Sequence, residues 1–338
     1  MLRWLKFLLL AIGIGLLIYI VSSVNIEETI KLLQKIGMGM VLILCLYFLA
    51  FLIDTFTWQL TLKNIPLTAA WTYRFFQMRL AGEAFNNLTP LAGMGGEPLK
   101  AILLNKYYSV NYRDGIASVI IAKTINVLAL ILFLAIGFLF VLNSTDLNIR
   151  YKSIAGVGLI TFSTAVVLFY LFQRLKITSA TSNLLPKHKL PAWMRSALMR
   201  IVELEDHLAS FYKKQLIRFS WALVFALGNW VLGALEIFYI MRFLDHPISL
   251  PDAWIIEAMT QLVRAGTFFI PASIGAQEGA FVIIGGAISG SPSAGLAAGV
   301  IRRIREIIWI GWGVLVFYIS KPDLALVDAP ITKMPKKE

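Results

Sequence analysis

GIASVIIAKTINVLALILFLAIGFLFVL, Gly115–Leu142, is the stretch whose reading decides the fold. It runs for 28 residues with one ionisable side chain, Lys123. A hydrocarbon core about 30 Å thick needs only about 20 apolar residues of α-helix to cross it. Comparable runs are Phe7–Val21, Met38–Leu60, Ile154–Phe172, Phe219–Met241 and Ala294–Ile319. They are rich in Leu, Ile and Phe, too long for barrel strands, and show no period of two. The whole chain agrees: of 338 residues, 58% are hydrophobic and 15% charged, against about 45–50% and about 25% in soluble domains. The expectation is an all-α polytopic membrane helix bundle, a single membrane domain over 1–338. It has about six full spans plus two segments that enter the bilayer without crossing it.

The net charge of +12 could point to nucleic acid, but its placement points to topology. With Arg3 and Lys6 inside, the inner loops are Lys63–Arg113, Gln173–Arg218 and the tail from Lys321. The 173–218 loop carries nine Lys/Arg against Glu203, Glu205 and Asp206. The outer loops, Ser22–Gly37, Asn143–Ser153 and Arg242–Asp252, are roughly balanced. That is the positive-inside pattern. It places both termini in the cytoplasm of a cell whose plasma (inner) membrane holds the chain, and it needs no nucleic-acid partner. The basic loop holds one amphipathic helix near Ala192–Tyr212, expected on the inner surface, where it could touch anionic headgroups. The first run reads as a retained helix, since no small-x-small cleavage site follows it. The one cysteine, Cys45, sits within a span, so no disulfide framework is available.

A second pattern lies across the chain at a shift of 180 to 183 residues. Asp54 corresponds to Glu236, Trp71 to Trp254, Pro90 to Pro271, Glu97 to Glu278 and Gly115 to Gly295. The span cation Lys123 corresponds to Arg303. The two repeat units are 38–142 and 219–319, each a span, an interrupted segment and a second span. Three spans lie between the interrupted segments, so the repeats read as inverted. In transporters such repeats place the substrate site near the midplane between them.

The interrupted segments are AGEAFNNLTPLAGMGGEPLKAILLN (Ala81–Asn105) and RAGTFFIPASIGAQEGAFVIIGGAI (Arg264–Ile288). Pro90 and Pro271 stop a helix. Gly93, Gly95, Gly96 and Gly275 permit a reversal, and new helices start near Glu97 and Glu278. Each segment is expected to fold as a re-entrant hairpin with helix N-termini at its tip, which attract anions. Such backbone is tolerated at bilayer depth only inside protein or around a wet cavity. Ionisable residues in spans cost about 2.5–3.5 kcal/mol each on insertion scales and face a partner or a pathway. Lys123, Arg302 and Arg303 lie near the hairpin tips. They either pair with Glu97, Glu278 or Glu306, or bind an anionic headgroup, where Arg grips phosphate in a bidentate way. Asn86, Asn87 and Thr89 cap the first broken helix or bond the headgroup. Asp54 and Glu236 lie toward span ends and read as structural or interfacial. The candidate substrate-binding residues are therefore Asn86, Asn87, Glu97, Lys123, Glu278, Arg302 and Arg303. His188, His207 and His246 are scattered without ligand spacing. With no P-loop and no dinucleotide motif, no metal, no cofactor and no enzymatic activity are expected.

FNNLTPLAGMGGEPLKA (Phe85–Ala101) before the Lys123 span, and IPASIGAQEGA (Ile270–Ala280) before the Arg302–Arg303 span, resemble two signatures of one family. It is the lysylphosphatidylglycerol-synthase transmembrane, or flippase-like, family, and the resemblance covers about Leu5–Ser320. Met94–Gly95 and Lys100 depart from the usual pattern, in which an arginine is common after the glutamate. The resemblance implies movement of lipids or lipid-linked groups between leaflets, with membrane lipids as partners. Lipid-biosynthesis enzymes could be further partners. Some members carry a soluble aminoacyl transferase, which this sequence does not contain. Two alternatives stand beside transport: a membrane transferase or hydrolase for a lipid-linked group, and a non-transporting subunit of a lipid, glycolipid or hopanoid biosynthesis complex.

Overall fold

The computed structural model of the protein describes residues 2–88, 95–144, 148–176, 179 and 192–320. The first hairpin tip (Thr89–Met94), part of the basic loop and the tail from Lys321 lie outside these residues. The side chain of Asn87 does as well.

Every regular element among the described residues is a helix. The first half comprises α1 (Leu2–Ser22), α2 (Ile26–Lys35), α3 (Gly39–Leu60), α4 (Ala69–Leu88), α5 (Gly96–Tyr108), α6 (Tyr112–Asn143) and α7 (Ile149–Leu175). There follow α8 (Ala192–Lys214), α9 (Leu216–Phe243) and α10 (Leu250–Gly266). A 3-10 turn (Pro271–Ser273) then leads into α11 (Ala276–Ala280), a π-turn (Phe281–Gly285), α12 (Gly286–Ser289) and finally α13 (Pro292–Ser320).

Five segments among the described residues are long and apolar enough to cross a membrane: α3, α6, α7, α9 and Pro271–Ser289. A sixth arises if Ala11–Ser22 and Ile26–Lys35, bent by 90°, count as one span. Two details differ from the sequence reading. The expected last span lies in the unbroken α13, but Arg302, Arg303, Arg305 and Glu306 keep it off the apolar five. Conversely, Pro271–Ser289, expected only as part of a hairpin, meets the length and hydropathy of a span.

The helices start and stop for local reasons. Asn25, Asn111 and Asn148 accept first-turn N–H groups at the starts of α2, α6 and α7. Ser249 and Asp252 form a reciprocal capping box at α10. α10 ends at Gly266, short of Pro271. There the Thr267 hydroxyl donates back to the Val263 carbonyl (2.8 Å) and its own N–H folds back on the last turn.

Helices α3 and α9 pack along each other as an antiparallel pair. Gly39 at the start of α3 faces Phe243 at the end of α9. At the other end, Arg218 Nη1 donates to the Leu62 carbonyl at 2.9 Å. Around this pair, α4 packs on α13 while α10 packs on α6. Helix α1 lies across the second break, so close that a Cβ on Gly275 would stand 2.6 Å from the Gly13 carbonyl oxygen. Helix α8 is not only a surface element. Leu208, Phe211 and Tyr212 are buried beside α6 and α9, and the Tyr212 hydroxyl donates to Gln173 Oε1 at 2.8 Å.

Candidate functional site

The first interrupted segment closes where α4 meets α5. Gly82 and Gly96 allow the contact: a Cβ on Gly96 would sit 1.8 Å from the Gly82 carbonyl oxygen. Asn86 links the two arms. Its Oδ1 accepts from the Gly96 N–H at 2.7 Å, and its Nδ2 donates to Glu97 Oε1 at 3.1 Å. Lys100, one turn along α5, donates to Glu97 Oε2 at 3.0 Å. Glu97 is thus both a first-turn carboxylate at a helix N-terminus and half of an ion pair.

The second segment uses the same residue types with different partners. Gly275 takes a φ of 80°, which a side chain would strain. Its N–H donates to Glu278 Oε2 at 2.8 Å. Glu278 Oε1 accepts from Arg303 Nε and Nη2 at 3.0 and 2.6 Å. Arg303 also donates to the Ala272 carbonyl (3.1 Å) and to Glu306 (2.8 Å). Arg303 therefore ties α13 to the break.

Beside it runs a chain of buried ion pairs. Arg302 grips both oxygens of Glu257, whose Oε1 also accepts from Gln261. Arg305 pairs with Glu236 and lies over the Tyr47 ring at 3.8 Å. Arg264 reaches Glu306 at 3.8 Å. Glu236 is thus a fully buried partner within the bundle, not an interfacial residue. Asp54, read the same way, is held by Arg79 and by Asn126 Nδ2 at 3.0 Å.

These groups surround a cavity of roughly 330 Å³ between the two halves. Among the described residues its wall carries Asp54, Glu83, Glu97, Glu236, Glu257 and Glu306. Against these six acids stand six cations, Arg79, Lys100, Lys123, Arg264, Arg302 and Arg305. Five of the cations have a carboxylate partner. Lys123 is exposed on the cavity wall and makes neither an ion pair nor a hydrogen bond among the described residues.

Of the residues expected at a substrate site, Glu97, Lys123 and Arg302 line this cavity. Asn86 stands behind it, holding Glu97. Glu278 and Arg303 pair with each other at the second break and are not part of the wall. Asn87's side chain lies outside the described residues. The wall adds nine further charged residues: Asp54, Arg79, Glu83, Lys100, Glu236, Glu257, Arg264, Arg305 and Glu306. Of these, Glu306 was named from the sequence as a pairing partner for the span cations.

Apolar helices of spanning length around a charged internal cavity define a multi-pass integral membrane protein. The chain belongs to the lysylphosphatidylglycerol synthase TM region family, which matches residues 4–312, so the resemblance read from the two signatures holds. A UPF0104 membrane protein of Methanothermobacter thermautotrophicus is 24% identical over 308 residues, covering 87% of this chain and 88% of its own. A UPF0104 membrane protein of Pyrococcus horikoshii is 30% identical over 139 residues, 40% of this chain and 41% of that protein. No solved structure matches the chain.

Proposed function

We propose that the protein moves an anionic phospholipid or lipid-linked group between the leaflets of the plasma membrane, with both termini cytoplasmic. The headgroup passes through the cavity while the acyl chains stay in the bilayer. One observation carries this reading: on the wall of a charged cavity, the Lys123 ammonium makes no ion pair or hydrogen bond among the described residues. A lone cation there has its charge uncompensated until an anion arrives, and a phosphate supplies strong acceptors. The two units act as inverted repeats with re-entrant hairpins. The antiparallel α3 and α9 support this, as does the reciprocal packing of α4 on α13 and α10 on α6. Inverted repeats meeting at a midplane site are the architecture of alternating access.

The test uses liposomes holding the purified protein and a headgroup-matched fluorescent phosphatidylglycerol, with dithionite added outside. Wild-type protein should make inner-leaflet label reachable. Lys123→Ala should slow this by roughly tenfold, the equivalent of about 1.4 kcal/mol, while remaining folded. A rate equal to wild type would remove Lys123 from the site. Recovery of a chemically altered lipid would instead make the protein a transferase or hydrolase. Wild-type protein that neither moves nor alters lipid would leave the role of a subunit in a lipid-synthesis complex.

A further inference from the structure

The two units treat equivalent charges differently. In the second, the hairpin carboxylate Glu278 sits on Arg303, the cation of the following span. In the first, Glu97 sits on Lys100 of its own helix, and the span cation Lys123, the counterpart of Arg303, is left open to the cavity. The cause is one residue. At the offset that relates the units, Lys100 falls on Ala280 or Phe281, neither of them charged. Glu278 therefore has no cation on its own arm of the hairpin and takes Arg303 of the following span, whereas Glu97 has a choice of two. Both ammoniums act electrostatically on the Glu97 carboxylate, and Glu97, Lys100 and Lys123 all line the same cavity.

We propose that Glu97 is the displacing anion of this site, alternating between Lys100 and Lys123. On Lys100 it leaves Lys123 free to take a phosphate group. On Lys123 it reproduces the second unit's Glu278–Arg303 pair and expels that phosphate. This rests on the reading that Lys123 receives the headgroup. The exchange is balanced in charge: an internal carboxylate replaces the phosphate at Lys123, and Lys100 is released as Lys123 is covered. Glu97 is largely buried and needs a cation beside it; the arrangement on Lys123 leaves the buried Lys100 alone and is therefore the short-lived one of the two. Loss of Lys100 therefore drives Glu97 onto Lys123.

Two independent readouts test this on the full-length protein. The first needs no lipid. An amine-reactive acylating reagent is applied and labelling at Lys123 is followed by peptide mass spectrometry. Lys123 should label readily in wild type, at least tenfold more slowly in Lys100→Met, and readily again in Glu97→Gln/Lys100→Met. Equal labelling in all three would overturn the exchange. The second measures binding of short-chain phosphatidylglycerol in detergent, with inorganic phosphate as the comparison. Glu97→Gln should bind the lipid severalfold more tightly than wild type yet move it more slowly in liposomes, because the ligand is no longer expelled. Lys100→Met should bind more weakly, and this loss should vanish in the Glu97→Gln background. If Lys100→Met loses binding equally in both backgrounds, Lys100 is itself a ligand and the proposal fails. If Glu97→Gln weakens binding, Glu97 is a scaffold and the proposal fails. Protection of Lys123 as expected, with no lipid bound or moved by wild type, would sink the transport reading and leave the exchange standing. Binding of inorganic phosphate as tight as that of the lipid would do the same.

Discussion

Removing the Arg302 guanidinium should destabilise the protein strongly, and removing its partner as well should give much of that stability back. Arg302 and Glu257 are almost fully buried, with side chains 5% and 1% exposed. In Arg302→Met the Glu257 carboxylate keeps only the Gln261 amide, at 2.8 Å. Glu236 keeps Arg305, so the damage falls on one carboxylate. Breaking a buried pair from one side costs about 3–5 kcal/mol. The midpoint, about 4 kcal/mol, shifts the folded-to-unfolded ratio by roughly a thousandfold. The double variant Arg302→Met/Glu257→Met leaves no orphan charge and should be less destabilised than Arg302→Met alone. The assay is unfolding in mixed micelles of rising denaturing-detergent content, followed by the fluorescence of the nine tryptophans. A single variant within about 0.5 kcal/mol of wild type would refute the burial argument. A double variant whose cost equals the sum of the two singles would refute the pairing.

Gly96→Ala should prevent the α4–α5 closure, because its Cβ would lie 1.8 Å from the Gly82 carbonyl oxygen. The yield of monodisperse protein should collapse, whereas Gly228→Ala, with nothing within 4 Å of the new methyl, should express normally. Trp254→Phe loses the indole hydrogen bond to the Phe133 carbonyl (3.0 Å) but keeps a ring beside Phe133. About 1 kcal/mol of stability should go, read in the same micelle titration. At the C-terminal end of α2, the hydrogen bond and charge of Lys35 hold the Asp245 carboxyl below the usual carboxylate range. A depressed folded-state value stabilises above the unfolded value and is lost as pH falls through the folded one. Asp245→Asn should therefore match wild type in its loss of stability down to about pH 4, and lose less than wild type below it.

The spans were legible because length and apolarity suffice to define them: Gly115–Leu142 lies inside α6, and Phe219–Met241 inside α9. The second break was legible from Pro271 and Gly275, and α5 begins at Gly96 beside the expected Glu97. Exact ends were not. α10 stops at Gly266 through a Thr267 side-chain bond that no periodicity reveals. Partnerships were the least legible. Glu97 had Lys123, Arg302 and Arg303 as plausible cations, and the pair it makes is instead the local one with Lys100, three residues away. Glu236 read as structural or interfacial with no partner named, because only the packing of α9 against α13 places Arg305, 69 residues on, beside it. Helix α8 read as a surface element because its pattern shows an apolar face without showing that α6 and α9 cover it.

The charge balance of the cavity wall bears on what the space is for. A buried ion pair holds a fold together no better than well-packed apolar side chains of similar volume, and in a membrane each charge adds its own insertion cost. A chain needing only a stable bundle could fill this space with leucine and phenylalanine. Instead the wall carries as many acids as bases, and the neighbouring pairs on α13 share carboxylates in a continuous run from Glu257 through Arg302, Glu236, Arg305 and Glu306 to Arg303. Such a wall is nearly neutral at a distance and strongly polar at contact, which is what the proposed passage of a hydrated headgroup requires. What breaks the neutrality at contact is Lys123. On the proposed reading, Lys123, unpaired among the described residues, gives an entering phosphate a place to stop, and Glu97 within electrostatic reach gives it a reason to leave.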